Sequence, residues 1–165
     1  MDLEATLSDL APRLLRYCLG LAADRRSAED AAQEALTALV SRWRRHGPPG
    51  SAAAFAFTVA RRRAKRARFR QLLSEPLERL RNGRCPNPGP EELALRRDEM
   101  RRTANALERL PRGHREALLL VAAGGLDTAG AAEVLGISRS AVKMRVHRAR
   151  RRLKDLLEDR HGSDG

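Results

Sequence analysis

Apolar positions recur three and four residues apart along nearly all of this 165-residue chain, and no stretch alternates with the period of two expected of a half-buried strand. Leu3, Leu7, Leu10, Leu14, Tyr17 or Cys18, and Leu21 mark a first helix. Pro12 lies within it and is expected to kink or divide it, because proline lacks an N–H and crowds the preceding turn. Asp24, Arg25 and Arg26 read as a connection, and Ser27 followed by Asp30 has the form of a capping box. The helix after it, about 28–45, buries Ala32, Ala35, Leu36, Leu39, Val40 and Trp43, and the run Gly47, Pro48, Pro49, Gly50 stops it. A third helix is expected over 51–74, with Phe55, Phe57 and Val59 in its early turns.

Residues 75–90 change character. From Asn82 to Pro90 they are dominated by Asn, Gly and Pro, which sustain neither helix nor strand, so this stretch reads as a linker between two small helical domains, 1–74 and 91–161. Pro90, Glu91 and Glu92 suit a helix start, with proline in the first turn and carboxylates at the positive end of the dipole. Leu93, Met100, Ala104, Leu107 and Leu110 mark the buried stripe of that helix, and Pro111 ends it. A helix over about 112–123 follows with Ala117, Leu118, Leu120 and Val121, closed by Gly124 and Gly125.

The last segment, 125–157, reads as a helix-turn-helix. Leu126, Val134, Leu135, Ile137, Val142, Val146, Ala149 and Leu153 are its apolar positions. Gly136 suits a left-handed C-terminal residue, and Ser138 is a natural N-cap for the second helix. With Val142, Val146 and Ala149 facing inward, Arg139, Ser140, Lys143, Met144, His147 and Arg148 face outward, the arrangement with which a recognition helix enters a DNA major groove. An ordinary corner of a helical core would satisfy the same apolar spacing. Against it, eight Lys or Arg and no acid lie between Glu133 and Asp155, whereas a merely solvated helix mixes signs along its face. The fold class is therefore all-α: two small helical domains, the second carrying a helix-turn-helix.

Charge adds a partner class. The formal charge is +12 with a pI near 11.3, which points to a polyanion. The charge is also uneven. The first 34 residues hold seven acids against four bases, while ten Lys or Arg and no acid lie between Glu34 and Glu75. Two faces with different partners are expected. Cys18 and Cys85 stand alone, without metal-ligand spacing, so neither a disulfide framework nor a metal site is expected. No nucleophile motif or phosphate loop accompanies the four histidines, so no catalytic residue and no cofactor is assigned. An acidic N-terminus and the absence of a long apolar run lead to the expectation of a soluble, cytoplasmic chain without membrane insertion.

Two motifs in order then carry a resemblance. Asp30, Gln33, Glu34 and Leu36 resemble the D-x-x-Q-E segment of region 2 in the extracytoplasmic-function (ECF) bacterial sigma factors. Leu107, Leu110, Pro111, Arg115, Glu116 and Ala117, then 125–138 and 141–150, resemble region 4 of that family. The resemblance implies a promoter-specificity subunit. Region 2 would bind the β′ clamp helices of core RNA polymerase and read the −10 element. Region 4 would bind the β flap and read the −35 element. An anti-sigma factor is a further partner the family often has. On this reading Asp30, Gln33, Glu34, Leu36, Leu39 and Arg42 belong to the polymerase-docking surface. The loop 46–51 with Phe55, Phe57, Arg61 and Arg62 would serve the −10 element, and the six outward residues of the last helix the −35 element. Departures are local: Phe55 stands where tryptophan is common and Arg62 where asparagine is. Arg63 and Lys65 stand where apolar residues are usual, and Met144 where a small hydroxyl residue is. A helix-turn-helix regulator that never binds polymerase, or a basic helical RNA-binding protein, are the alternative readings.

Overall fold

A computed structural model describes residues 2–22, 24–78 and 91–158. All regular structure among these residues is helical: α1 (Leu3–Leu21), α2 (Arg25–His46), α3 (Ala52–Glu78), α4 (Glu91–Glu108), α5 (Arg112–Ala122), α6 (Thr128–Leu135) and α7 (Arg139–Glu158). The expected linker is only partly described, since its first four positions continue α3 and 79–90 lie outside the described residues. Cys85, Pro90 and the expected C-terminal boundary at 161 also lie outside them.

The first three helices begin where polar side chains satisfy free N–H groups. Asp2 caps α1 by accepting from the Ala5 N–H at 3.1 Å, and Ser51 caps α3 through the Ala54 N–H at 3.1 Å. The cap of α2 is Asp24, which accepts from the Ser27 N–H at 2.7 Å and from the Ser27 hydroxyl at 2.9 Å. This corrects the expected box at Ser27 and Asp30: the helix starts a turn earlier, and Asp30 is left exposed along its side. Pro12 does not divide α1. It sits exposed within one continuous helix.

α1, α2 and α3 pack on one another around Leu10, Leu14, Tyr17, Leu39 and Phe57. α3 meets this core with Ala52, Ala54, Ala56, Ala60 and Ala64, all buried. Small side chains there let the α3 backbone approach its neighbours closely, so a core poor in aromatics remains well filled. The Tyr17 and Phe57 rings meet edge to face with centroids 5.3 Å apart. Cys18 is free and buried beside them, and burial pushes its thiol up to about 12.

In the second group of helices, α5 and α6 pack on α7, and α4 also contacts α7. Ala106 near the end of α4 and Leu110 just beyond it are buried. Met100, 72% exposed, and Ala104 face solvent, contrary to the expected stripe. α5 is the exception to amphipathic patterning. Six consecutive residues from Arg115 to Leu120 are buried, because one side of α5 faces α6 and α7 while the other faces α1. α6 likewise touches α3. The two groups are thus joined face to face, along a seam whose closest approaches occur at glycines. A Cβ on Gly20 would lie 2.6 Å from the Leu119 side chain. One on Gly124 would lie 2.6 Å from the Leu120 carbonyl oxygen and 2.9 Å from the Phe57 ring.

Gly124→Ala is therefore expected to lower the urea midpoint of unfolding by an amount equivalent to about 1–3 kcal/mol, the usual cost of overpacking. An unchanged midpoint would show that Phe57 and the turn after α5 give way without cost.

Candidate nucleic-acid interface

The turn between α6 and α7 is built from local hydrogen bonds. Asp127 accepts from the Gly130 N–H at 2.7 Å and starts α6. Gly136, at φ 67° and ψ 37°, ends it in the left-handed region, with its N–H on the Ala132 carbonyl at 2.8 Å and the Ile137 N–H on the same carbonyl at 3.2 Å. Ser138 then accepts from the Ala141 N–H at 3.1 Å and starts α7. Val142, Val146, Ala149 and Leu156 turn into the core.

That inward stripe fixes the outward face. Arg139, Ser140, Lys143, Met144, His147 and Arg148 are all exposed, with Met144 at 50%. Arg150, Arg151 and Arg152 continue the exposed basic surface toward the end of the helix. Five of the six outward residues can donate hydrogen bonds to phosphate or to base edges from fixed positions on one rigid helix.

The sites expected near the N-terminus are placed unevenly. Asp30, Gln33 and Glu34 are exposed on α2, and half-buried Leu36 lies beside them. Between α1 and α2 runs a groove of about 450 Å³ lined by Leu7, Ala11, Gln33, Leu36 and Val40, among others. Glu34 also pairs across to Arg63 on α3 at 2.5 Å, both side chains half exposed. Leu39 is not part of this surface. It is fully buried between the helices, because its position on α2 points opposite to Gln33. Arg42 donates to the Gly47 carbonyl at 2.9 Å and so closes the C-terminal end of α2, which is a structural task. Gly47 itself has φ 75°, a conformation that favours glycine.

On α3, Arg62 is exposed and Phe55 half-buried, so both border the basic face. Phe57 is 0% exposed and cannot stack on a base in this arrangement, because it fills the seam against Tyr17 and Gly124. Arg61 faces the same seam. Its Nε and one terminal nitrogen each lie 2.9 Å from Oε2 of Glu116 on α5. Oε1 of that carboxylate receives Lys65 at 3.3 Å and Arg112 at 3.1 Å. Burial pushes the Glu116 carboxyl up, but the charge and hydrogen bond of Arg61, then the charge of Lys65 and the Arg112 hydrogen bond, outweigh it and hold the group below its ordinary value.

Sequence spacing did not single out this cluster. The available signal was the run Ala117 to Val121, five apolar residues with no polar interruption, which marks a helix buried on more than one side. Among the described residues no group of His, Cys, Asp or Glu could hold a metal ion, and no helix is long and apolar enough to cross a membrane.

Comparison with known proteins gives two family matches in chain order: Sigma-70 region 2 over residues 7–72 and Sigma-70, region 4 over residues 100–153. The chain is 33% identical to the ECF RNA polymerase sigma factor SigD of Mycobacterium tuberculosis, over 94% of this chain and 76% of that protein. It is also 33% identical to the ECF sigma factor ShbA of Streptomyces griseus, over 95% and 90% respectively. Among solved structures, the sigma factor RpoE of Bartonella quintana, in complex with the anti-sigma factor NepR, superposes with a TM-score of 0.72 at 24% identity, covering 94% of this chain and 96% of that one. CnrH in complex with the cytosolic domain of CnrY gives 0.70 at 24% identity, covering 95% and 88%.

Leu39 supplies a check on the surface drawn above. Leu39→Ala is expected to destabilise the protein by about 2–5 kcal/mol in denaturant titrations, as for a buried leucine. A loss of partner binding at unchanged stability would return Leu39 to the docking surface.

Proposed function

The chain belongs to the ECF sigma factors of bacterial RNA polymerase, alternative sigma factors that direct transcription initiation, and we propose how its own residues divide that task. The 91–161 unit reads the −35 element through the outward face of α7. The observation that carries this is the clean separation on α7 of buried Val142, Val146 and Ala149 from exposed Arg139, Ser140, Lys143, Met144, His147 and Arg148. Lys143 and Arg148 donate to guanine O6 and N7. Arg139 and Ser140, at the helix start, hold phosphates. Met144 and His147 meet base edges or a thymine methyl.

The 1–74 unit docks on core polymerase through α2. Asp30, Gln33 and Glu34 provide hydrogen-bond acceptors and a donor. Leu36, with Leu7, Ala11 and Val40, provides an apolar groove into which side chains of a β′ clamp helix fit. The modest exposed pair of Glu34 with Arg63 is readily exchanged for a partner's cation. The loop 46–51 with Phe55, Arg61 and Arg62 faces the −10 element, where an aromatic edge and guanidinium groups suit an unstacked strand. The region 4 unit also meets the β flap, and an anti-sigma factor is a regulatory partner of the same surfaces. The protein acts by binding alone, in the cytoplasm where polymerase works.

Retention on core polymerase, followed by transcript mapping, tests this. Asp30→Arg or Gln33→Ala is expected to abolish promoter-specific starts while duplex binding by α7 persists. If core polymerase does not retain the unaltered protein, the docking role is wrong, and a free regulator or an RNA-binding protein becomes the better description.

Lys143→Ala and Arg148→Ala are each expected to relax preference at one or two −35 positions, by about 1–3 kcal/mol of discrimination, in competition binding with mutated duplexes. A uniform weakening on every sequence would instead make them phosphate contacts.

A further inference from the structure

We propose that the small cavity between α3 and the first turns of α5 binds a small oxyanion, one phosphate group held by Arg115 and Arg68 with Lys65 and Arg112 at its mouth. These residues lie outside the sets given above to DNA and to polymerase, so the site stands independently of the sigma-factor task. Lys65 and Arg68 of α3 form one wall and Arg112, Arg115 and Glu116 of α5 the other, with Leu21 at the end of α1 beside them. Four cations and one carboxylate thus face the same small space.

Arg115 is the group that calls for a ligand. It is only 5% exposed, yet its Nε has no hydrogen-bond partner among the described residues. A buried donor costs free energy until an acceptor reaches it, and a buried charge costs more. Burial and then the nearby Arg68 charge lower the affinity of Arg115 for its proton, by more than Glu108 and Glu116 restore it. Neither acid serves Arg115 alone. Glu108 is exposed at the end of α4. Glu116 gives Oε2 to Arg61 and Oε1 to Lys65 and Arg112.

Size and donor geometry select the ligand class. The cavity encloses about 10 Å³, room for one water-sized group. One phosphate oxygen fits there while the rest of the group stands at the mouth, where the Lys65 and Arg112 side chains are 33% and 59% exposed. Water in the same place would satisfy the Arg115 donor and leave the surplus charge, whereas an oxyanion meets both. A guanidinium fork also matches the paired oxygens of an oxyanion, which a halide does not offer. The backbone acts in the same direction: α5 starts at Arg112 without a side-chain cap, so the positive end of its dipole lies at the site.

The test uses the full chain and inorganic phosphate, exchanged for chloride at constant ionic strength and pH. Isothermal titration calorimetry is expected to show saturable one-to-one binding, and the thermal midpoint to rise with phosphate. Arg68→Gln is expected to weaken binding about tenfold or more, the worth of one charge-assisted hydrogen bond. Arg16→Gln makes the same charge change at an exposed position of α1 and is expected to leave binding nearly unchanged. Arg115→Met keeps an apolar stem and removes the unpartnered donor. It is expected to unfold no earlier than the unaltered protein in chloride, and to lose the rise with phosphate. Equal weakening by Arg68→Gln and Arg16→Gln would mark a diffuse response to net charge and overturn the site. An earlier midpoint for Arg115→Met in chloride would show that the chain itself already satisfies Arg115, which also overturns it. Absence of saturable phosphate binding does the same.

Discussion

A buried carboxylate is tolerated only when cations reach its oxygens, and Glu116, with its side chain 4% exposed, meets that condition with groups from two different parts of the chain. Arg112 comes from its own helix. Arg61 and Lys65 come from α3, more than fifty residues earlier in the sequence. Without α3 the carboxylate would sit on α5 as an ordinary surface acid with one neighbouring arginine. With α3 it is enclosed, and α5 becomes the shared wall of both helical units. The apolar contacts of Leu119 with Gly20 and of Phe57 with Gly124 then follow from where that wall stands.

The same contact gives a reason for a local peculiarity of α3. Lys65 and Arg63 flank the buried Ala64 on a helix that also turns Ala56 and Ala60 inward. Each has an acid waiting on a different neighbour: Glu116 on α5 for Lys65, and Glu34 on α2 for Arg63. They project to different sides of α3, with Arg61 and Lys65, four residues apart, sharing one of them. Charge on this helix is thus spent partly on packing α3 between its neighbours. Arg62 and Arg66 remain exposed as its outward basic face. The apolar side is carried by alanines, whose small size lets those long cations reach across to other helices.

How much of this could be read from the chain depends on whether the determining interactions are local. The helix-turn-helix was legible in detail, because Gly136, Ser138 and the spacing of Val142, Val146 and Ala149 act through hydrogen bonds and periodicity within a few residues. All six outward residues of α7 are exposed as the spacing requires. The helix count and the turn at Gly47 were legible for the same reason. Less legible were residues whose environment is set by distant partners. Phe57, which the resemblance put among the −10 residues, is enclosed by the seam, and Leu39, expected both in the α2 core and on the docking surface, belongs to the core alone. Met100 fits a helical stripe by spacing, but among the described residues it is left 72% exposed. Ser27 and Asp30 have the form of a capping box, yet Asp24, three residues before Ser27, accepts the Ser27 N–H and hydroxyl and starts the helix a turn earlier.

The proposed division of labour along the chain rests on these placements. The α7 face is open, and so are Asp30, Gln33 and Glu34, whereas Phe57 and Arg61 are enclosed or engaged. On the proposed assignment, the faces given to duplex reading and to docking through α2 are exposed in this arrangement, while Arg61 is engaged by Glu116.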